Sequence, residues 1–464
     1  MTNTETLRGF YFSAVLTPGG WRKNVSALLG DDGFFTSLIS DDNPHQLPRI
    51  EGYAIPGSTN LHSHAFQRAM AGLGEVRGTT SDSFWSWREV MYKFVGIINP
   101  DDLAAIATKL YMEFLKGGFT CVGEFHYLHH TPDGTSYDNP AQMSLAIINA
   151  AQISGIALTH LPVFYAHSGF GGAAPNQGQK RFVHTLDDYA KLLQNLKNDN
   201  PSSLNRIGIA PHSLRAVTPD ELTALQEFRK DILPDCPMHI HISEQMKEVE
   251  DCVAHCGARP VEWLLEAAPI DDTWCFIHAT HMTEDETHNM AKAGAIAGLC
   301  PMTEANLGDG IFRGEEFLTA GGTFGVGTDS NTRTNVADEL LMLEYSQRLS
   351  NNRRNILGND DLPHTGESLY QHACSGGATA LTQPVGAIEV HKRADFLVLD
   401  PQLDGVHRPA NSHFLDYWLF GAVDRAPAQV YVAGQPVIMD GHHAHEENID
   451  ADYRRVMEKL LAEI

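Results

Sequence analysis

The chain has 464 residues, 42% apolar and 20% charged, enough for one large domain of roughly 250–330 residues and a smaller one. With 33 basic residues against 58 acidic ones the net charge is −25, which argues against nucleic acid or an anionic membrane as partner, since both select a cationic face. No stretch approaches the roughly 18 uninterrupted apolar residues of a membrane span. The N-terminal MTNTETLRGFYFSAV has no basic region ahead of a long apolar core, and the seven cysteines are scattered, so a reducing cytoplasm is the expected compartment.

Residues 1 to about 55, with RGFYFSAVLTPGGW and GFFTSLIS, read as short strands joined by Gly, Pro and Asp turns. From there a unit recurs: a β-rich apolar run, a polar or glycine-containing loop, then a helix-like amphipathic segment. In order the runs are YAIPGSTNLHSH, FTCVGEFHY, IALTHLPVFY, RIGIAPHS, MHIHISE, WCFIHAT, AIAGLCP and FGVGTDS. Among the helix-like segments, PDDLAAIATKLYMEFLKGG starts on Pro-Asp-Asp and stops at Lys116-Gly117-Gly118. TPDELTALQEFRK offers Thr218 as N-cap with Glu221 three residues on, a capping box. Eight such units predict a parallel (β/α)8 TIM-like barrel over residues 56–384. An open doubly wound sheet fits less well, because no Gly-rich dinucleotide loop follows the first strand. ADFLVLD and AQVYVAGQPVIMDG then return to strand character. Residues 1–55 and 385–464 are therefore expected to form one small β-sandwich domain with a C-terminal helix, since separate hairpins would each bury little apolar surface.

Barrel sites lie at the C-terminal ends of the strands. Those ends carry His62 and His64, His126 and Tyr127, His212, His241 and Glu244, His278, and Asp329. Residues i and i+2 of a strand share a face, so the imidazoles of His62-Ser63-His64 can meet one ion, and imidazole suits zinc. An isolated H-x-H more often marks two solvent-facing histidines on an edge strand. HIHISE repeats the pattern with His239 and His241 and adds Glu244; spacing leaves open which histidine is a ligand, and whether Glu244 is a ligand or a general acid/base. FIHAT presents His278. GTDSN presents Asp329, which on its own reads equally as a cap for the next helix. Four chemically equipped strand ends in one chain are hard to explain as independent structural accidents. The nucleophile elbow, the P-loop, the H-x-E/P-C-x-x-C pattern and H-E-x-x-H are all absent from the sequence. Cys252 and Cys256 read as helix packing, and GHHAH (His442, His443, His445) as a solvated turn.

This order of strand-end residues resembles the amidohydrolase superfamily. The dinuclear members keep a carboxylated lysine at the end of the fourth strand; IAPHSL has His212 there, which points to the mononuclear deaminase branch. Within it, NLHSHAFQRAMAG, SFWSWREVMY, GEFHYLHH, HSGFGGAAPNQGQKRF and APHSLRAV are similar to members that deiminate N-formimidoyl-L-glutamate in histidine degradation, across essentially the whole chain. The resemblance implies one Zn2+ per chain on His62, His64, His241 and Asp329, with His239 left as a packing residue. It implies Glu244, His278 and Asp329 as the acid/base group, and Gln67, Arg88, Tyr127, His212 and Arg215 as the substrate-binding residues. A small dianionic substrate, no nucleic-acid or membrane partner and a homodimer complete the expectation. Arg68 receives no role.

Overall fold

In the computed structural model, which describes residues 8–41, 47–77, 84–199 and 202–463, with the backbone alone at 84–87 and 89, the eight runs yield two parallel sheets. The first contains β1 (Ser58–Ser63), β2 (Phe119–His126), β3 (Ala157–Phe164) and β4 (Asn205–Ile207, resumed at Ala210–Pro211). The second runs β5 (Met238–Ile242), β6 (Trp274–His278), β7 (Ile296–Leu299) and β8 (Thr323–Val326). β4 is interrupted because Gly208 and Ile209 donate to opposite neighbours, His160 O at 2.9 Å and Pro237 O at 3.0 Å. Parallel bridges link the sheets on both sides: Ile209 to Met238 and Ser213 to His241 on one, Ser63 to Asp329 on the other. Strands β2, β3, β5 and β6 are buried along their full length, as strands covered on both faces must be.

The helices between them start where the chain supplies caps. Phe84–Val95 is α1 and Pro100–Lys116 is α2, the latter closed by an Asn99/Asp102 capping box. In α3 (Pro219–Asp231) the expected Thr218/Glu221 box forms, with both side chains satisfying backbone N–H groups. The short α4 (Pro301–Leu307) follows β7, and α5 (Glu446–Glu463) ends the chain.

YAIPGSTNLHSH is two strands rather than one. Arg49–Pro56 belongs to a terminal sheet, and β1 begins after Gly57, where a side chain would collide with that of Thr120. The terminal sheet takes Gly9–Thr17, Gly20–Leu29, Phe35–Ser40 and Arg49–Pro56 from one end of the chain. From the other it takes Phe396–Leu399, Gln429–Val432, Gln435–Met439 and His442–His443. Arg49–Pro56 pairs parallel with Gly9–Thr17 and antiparallel with Phe396–Leu399, so the ladder is continuous. The strands expected to form a small β domain make one continuous eight-stranded ladder, because this strand joins the two ends edge to edge. Its residues alternate with the period of two that strands impose: Phe12, Ile50, Ala54, Phe396 and Val398 fill a core of its own, while Tyr53, Ile55, Leu397 and Leu399 join the main core.

One reading at the C-terminal end changes. GHHAH is no solvated turn at His443, which is buried with Nε2 at 3.0 Å from Ser154 O. Helix α5, grouped by sequence with the terminal unit, docks on α2 through Lys109–Asp450 (2.7 Å), Lys459–Asp102 (2.8 Å) and Lys116–Glu446.

The terminal sheet meets the parallel strands around a buried ion pair. Arg393 donates to both oxygens of Asp395 at 2.9 and 2.7 Å and to Gln383 at 2.8 Å, and Asp395 also accepts the Ala433 N–H. Removing one partner strands the other charge. Asp395→Ala should therefore cost about 3–5 kcal/mol in chemical denaturation, and a loss near that of an exposed pair would show that the charge is hydrated.

Candidate active site

The site begins with a backbone exchange between β1 and the end of β8. His62 O accepts the N–H groups of Thr328 and Asp329 at 3.0 Å each, and His64 N–H donates to Asp329 O at 3.0 Å. Gly327 allows that approach, since a Cβ there would lie 2.7 Å from His62 N and O. Buried side chains lock the register. Asn60 Nδ2 donates to Thr328 Oγ1 at 2.7 Å, and Asn331 Nδ2 to His64 O at 2.9 Å. Asp329 and Asn331 take left-handed backbone angles, φ 46° and 60°, strain held by that network. Arg68 acts from outside, donating to Asn331 O at 2.9 Å and pairing with Glu113 at 2.9 Å. It braces the loop that carries Asp329.

This staple, with β5 alongside, brings together four side chains. The ligand atoms of His62, His64, His241 and Asp329 lie within 4.8 Å of one another, all buried. His62 Nε2 is 3.0 Å from His241 Nε2, and Asp329 Oδ1 is 3.1 Å from His64 Nε2 and 3.5 Å from His62 Nε2. Carbonyl groups set the tautomers: His64 Nδ1–H donates to Phe125 O at 2.8 Å and His241 Nδ1–H to His212 O at 3.1 Å, which turns an Nε2 lone pair of each ring inward. Burial lowers His62 to about 3 and His241 well below the ordinary histidine range, so both stay neutral, as ligands must. Three imidazole lone pairs and a carboxylate oxygen converging on one point fit a divalent metal. His239 lies apart, its Nε2 2.7 Å from Ala380 O.

A second group, His364, His413 and Asp416, also has close ligand atoms but is partly exposed. Asp416 there is already engaged, with one oxygen on His364 Nδ1 at 2.6 Å and the other on the Gly366 N–H at 2.8 Å. That geometry caps a helix start.

Beside the metal group, Ser243, His278 and Ala279 also have left-handed backbones, φ 52°, 67° and 48°, turning the chain sharply at the ends of β5 and β6. His278 Nε2 thereby sits 3.9 Å from Glu244 Oε1 and 4.0 Å from Asp329 Oδ2, while Nδ1 is 3.4 Å from Glu304 Oε1. Burial opposes a charged ring, but Glu244, Glu304 and Asp329 raise His278 to about 10. Glu244 is pushed upward by burial, with Asp329 adding to it. The pair provides one group biased to hold a proton and a carboxyl shifted toward its protonated form.

Gln67, Arg88, Tyr127, His212 and Arg215 all line the pocket over this group. Gln67 Nε2 donates to Tyr127 OH at 2.9 Å, which leaves the buried Gln67 Oε1 without a partner among the described residues. Arg88 projects from α1 with its guanidinium 5.2 Å from the Tyr92 ring; the tryptophan side chains before it lie outside the described residues. His212 is kept neutral by burial and by Arg215 and Arg88. Tyr92, Tyr165, Phe182, Met91 and Leu307 complete the walls. Of these Tyr165 was findable, because it directly follows β3 as the other site residues follow their strands. His126 does not join. Its ring turns away to pack 5.4 Å from those of His129 and His160. A larger cavity at the opposite ends of the strands, bordered by Thr17, Pro56, Arg206, Tyr370 and Lys392, is lined by none of the metal-group residues.

Residues 53–437 match the amidohydrolase family. The chain belongs to that family. It is 46% identical to a formimidoylglutamate deiminase of Pseudomonas aeruginosa, over 98% of this chain and 100% of the relative. A 5-methylthioadenosine/S-adenosylhomocysteine deaminase of Natronomonas pharaonis is 25% identical, over 88% of this chain and 86% of that one. Among solved structures, an amidohydrolase from Brucella melitensis superposes with a TM-score of 0.91 at 44% identity, covering 98% of this chain and 100% of its own.

Metal analysis of purified variants tests the ligand set. His62→Ala and Asp329→Ala should lose the bound divalent ion, whereas His239→Ala should retain one per chain. The reverse result for His239→Ala and His241→Ala would reassign the third imidazole.

Proposed function

We propose that this amidohydrolase hydrolyses N-formimidoyl-L-glutamate to N-formyl-L-glutamate and ammonia, using one Zn2+ held by His62, His64, His241 and Asp329. The observation that carries the reading is the joining, in one pocket, of the metal group and its acid/base neighbours with two arginines. The 46% identity to the Pseudomonas aeruginosa deiminase supports it. The reading takes the two parallel sheets as one (β/α)8 barrel over residues 56–384, supported by the bridges on both sides, with 1–55 and 385–464 as the smaller unit. It places the enzyme in the cytoplasm as a homodimer; among the described residues no helix is long and apolar enough to cross a membrane.

A divalent metal at the site supplies a water activated at neutral pH. Asp329 is held well below the ordinary carboxylate range: burial would raise it, but His62, His64 and His278 outweigh that. Its Oδ1 lies toward His62 and His64 while Oδ2 faces His278, so Oδ2 would be placed to take up a proton on the pocket side. Attack makes the formimidoyl carbon tetrahedral. The protonated His278 stabilises the charge developing there, and Glu244 carries a proton to the departing nitrogen, which leaves as ammonia. Gln67 Oε1 can accept the substrate N–H. Arg88 and Arg215 take the two carboxylates, whose geometry the guanidinium fork matches.

Ammonia release from a panel of formimidoyl and aromatic amine substrates tests the reading, and turnover confined to ring amines would overturn it. Glu244→Gln should lower turnover by about 10²–10⁴-fold, the usual range for general acid/base catalysis, with metal retained. Arg215→Met should cost about 2–5 kcal/mol in kcat/KM on formimidoylglutamate and much less on a formimidoyl compound lacking the carboxylate it holds. Equal losses on both would make Arg215 a support of the fold.

A further inference from the structure

Glu304 has no part in the scheme above, yet it is buried against a reacting group. It lies in α4, at 5% exposure. Its Oε1 accepts the Cys300 N–H at 3.0 Å and faces His278 Nδ1 at 3.4 Å. The same ring directs Nε2 toward Glu244 Oε1 and Asp329 Oδ2 at 3.9 and 4.0 Å. His278 thus has a carboxylate at each nitrogen, one set facing the pocket and one behind it.

Little else fixes that ring. His278 sits at φ 67° and is followed by Ala279 at φ 48°, so its direction is not set by regular strand geometry. Its flat neighbour is the ring of His241, 5.5 Å away and within 9° of parallel. A parallel stack tolerates a half-turn of the imidazole about its Cβ–Cγ bond, which keeps the ring plane and exchanges a nitrogen for a carbon at each edge. The acceptor behind the ring is what distinguishes the two orientations, because a C–H directed at Glu304 would leave a buried carboxylate oxygen facing no donor on that side.

We propose that Glu304 is the positioning residue for His278: it accepts the Nδ1–H, selects one ring orientation, and so directs Nε2 at Glu244 and the reacting centre. This rests on the reading of His278 as part of the deiminating machinery, and it follows the general rule that an acid/base imidazole is oriented by a third group. The carboxylate does more than cap the start of α4. A neutral amide at the same place would still accept both N–H groups through its oxygen, but without the strength of a bond to an ionised acceptor.

Two variants and two measurements separate positioning from support of the fold. Glu304→Gln should keep the fold, the metal content and most of the activity. Glu304→Ala should retain metal and substrate KM within about threefold while kcat falls by about 10–100-fold, the range for partners that orient a working side chain. In protein labelled with 15N-histidine, the His278 signals, identified by their loss in His278→Asn, should show Nδ1 protonated and hydrogen-bonded in the starting protein and in Glu304→Gln. In Glu304→Ala that signature should be lost. An unchanged kcat in Glu304→Ala, unchanged His278 signals in that variant, or a fall in kcat that merely tracks metal loss would each overturn the proposal. The 15N measurement needs no turnover. A protein that released no ammonia from formimidoylglutamate would refute the functional reading while leaving the orientation of His278 separately testable.

Discussion

The site depends on one backbone contact, the exchange of hydrogen bonds between the end of β1 and the end of β8. Asn60 and Thr328, which lock it, are 268 positions apart in the chain, so no local rule brings them together. Once they do, two imidazoles and a carboxylate are delivered together, because His62, His64 and Asp329 all belong to residues making the exchange. The strained φ values at Asp329 and Asn331 are tolerable because they sit inside a buried polar network with its partners present. Arg68, with no evident purpose in the sequence, becomes intelligible as a brace holding the Asn331 carbonyl against α2.

The same contact explains why the terminal sheet matters to chemistry it never touches. Arg49–Pro56 runs directly into β1 through Gly57, whose N–H donates to Asp395 O at 3.0 Å. Asp395 in turn is gripped by Arg393. The first metal ligand is therefore only a few residues from a buried ion pair that belongs to the other end of the chain. A disturbance of the terminal sheet has a short mechanical path to His62.

What could be read from the sequence was what has a local period. His62 and His64 share a face because strand residues alternate, and the Thr218/Glu221 cap forms because its two partners are three residues apart. His126 ends β2 and Tyr127 follows it directly, so their side chains take different directions, and Tyr127 is the one that lines the pocket. Other features had no local signal. Burial of His443 comes from Ser154, 289 residues away, so GHHAH looked solvated. The sheet ladder depends on Arg49–Pro56 finding partners from both chain ends, which alternation alone does not specify. Glu304 meets His278 only because the turn after β7 folds α4 back behind β6.

Charge completes the argument for a small acidic ligand. The chain as a whole is strongly negative, and its long-range field opposes an anion at any approach. Within the pocket two arginines, Arg88 and Arg215, stand beside Glu244 and Asp329. His212, which might have added a third positive charge, is kept neutral by its burial and by the two arginines. Arg215 keeps its own charge against burial because Glu248, Tyr165 and Glu244 favour it. Under the proposed function the two guanidinium groups lining the pocket are set to take two carboxylates. His278 holds its proton deeper in the site, where charge develops during reaction. An aromatic amine offers neither guanidinium a carboxylate, and under the proposed function that difference in pairing selects against ring substrates.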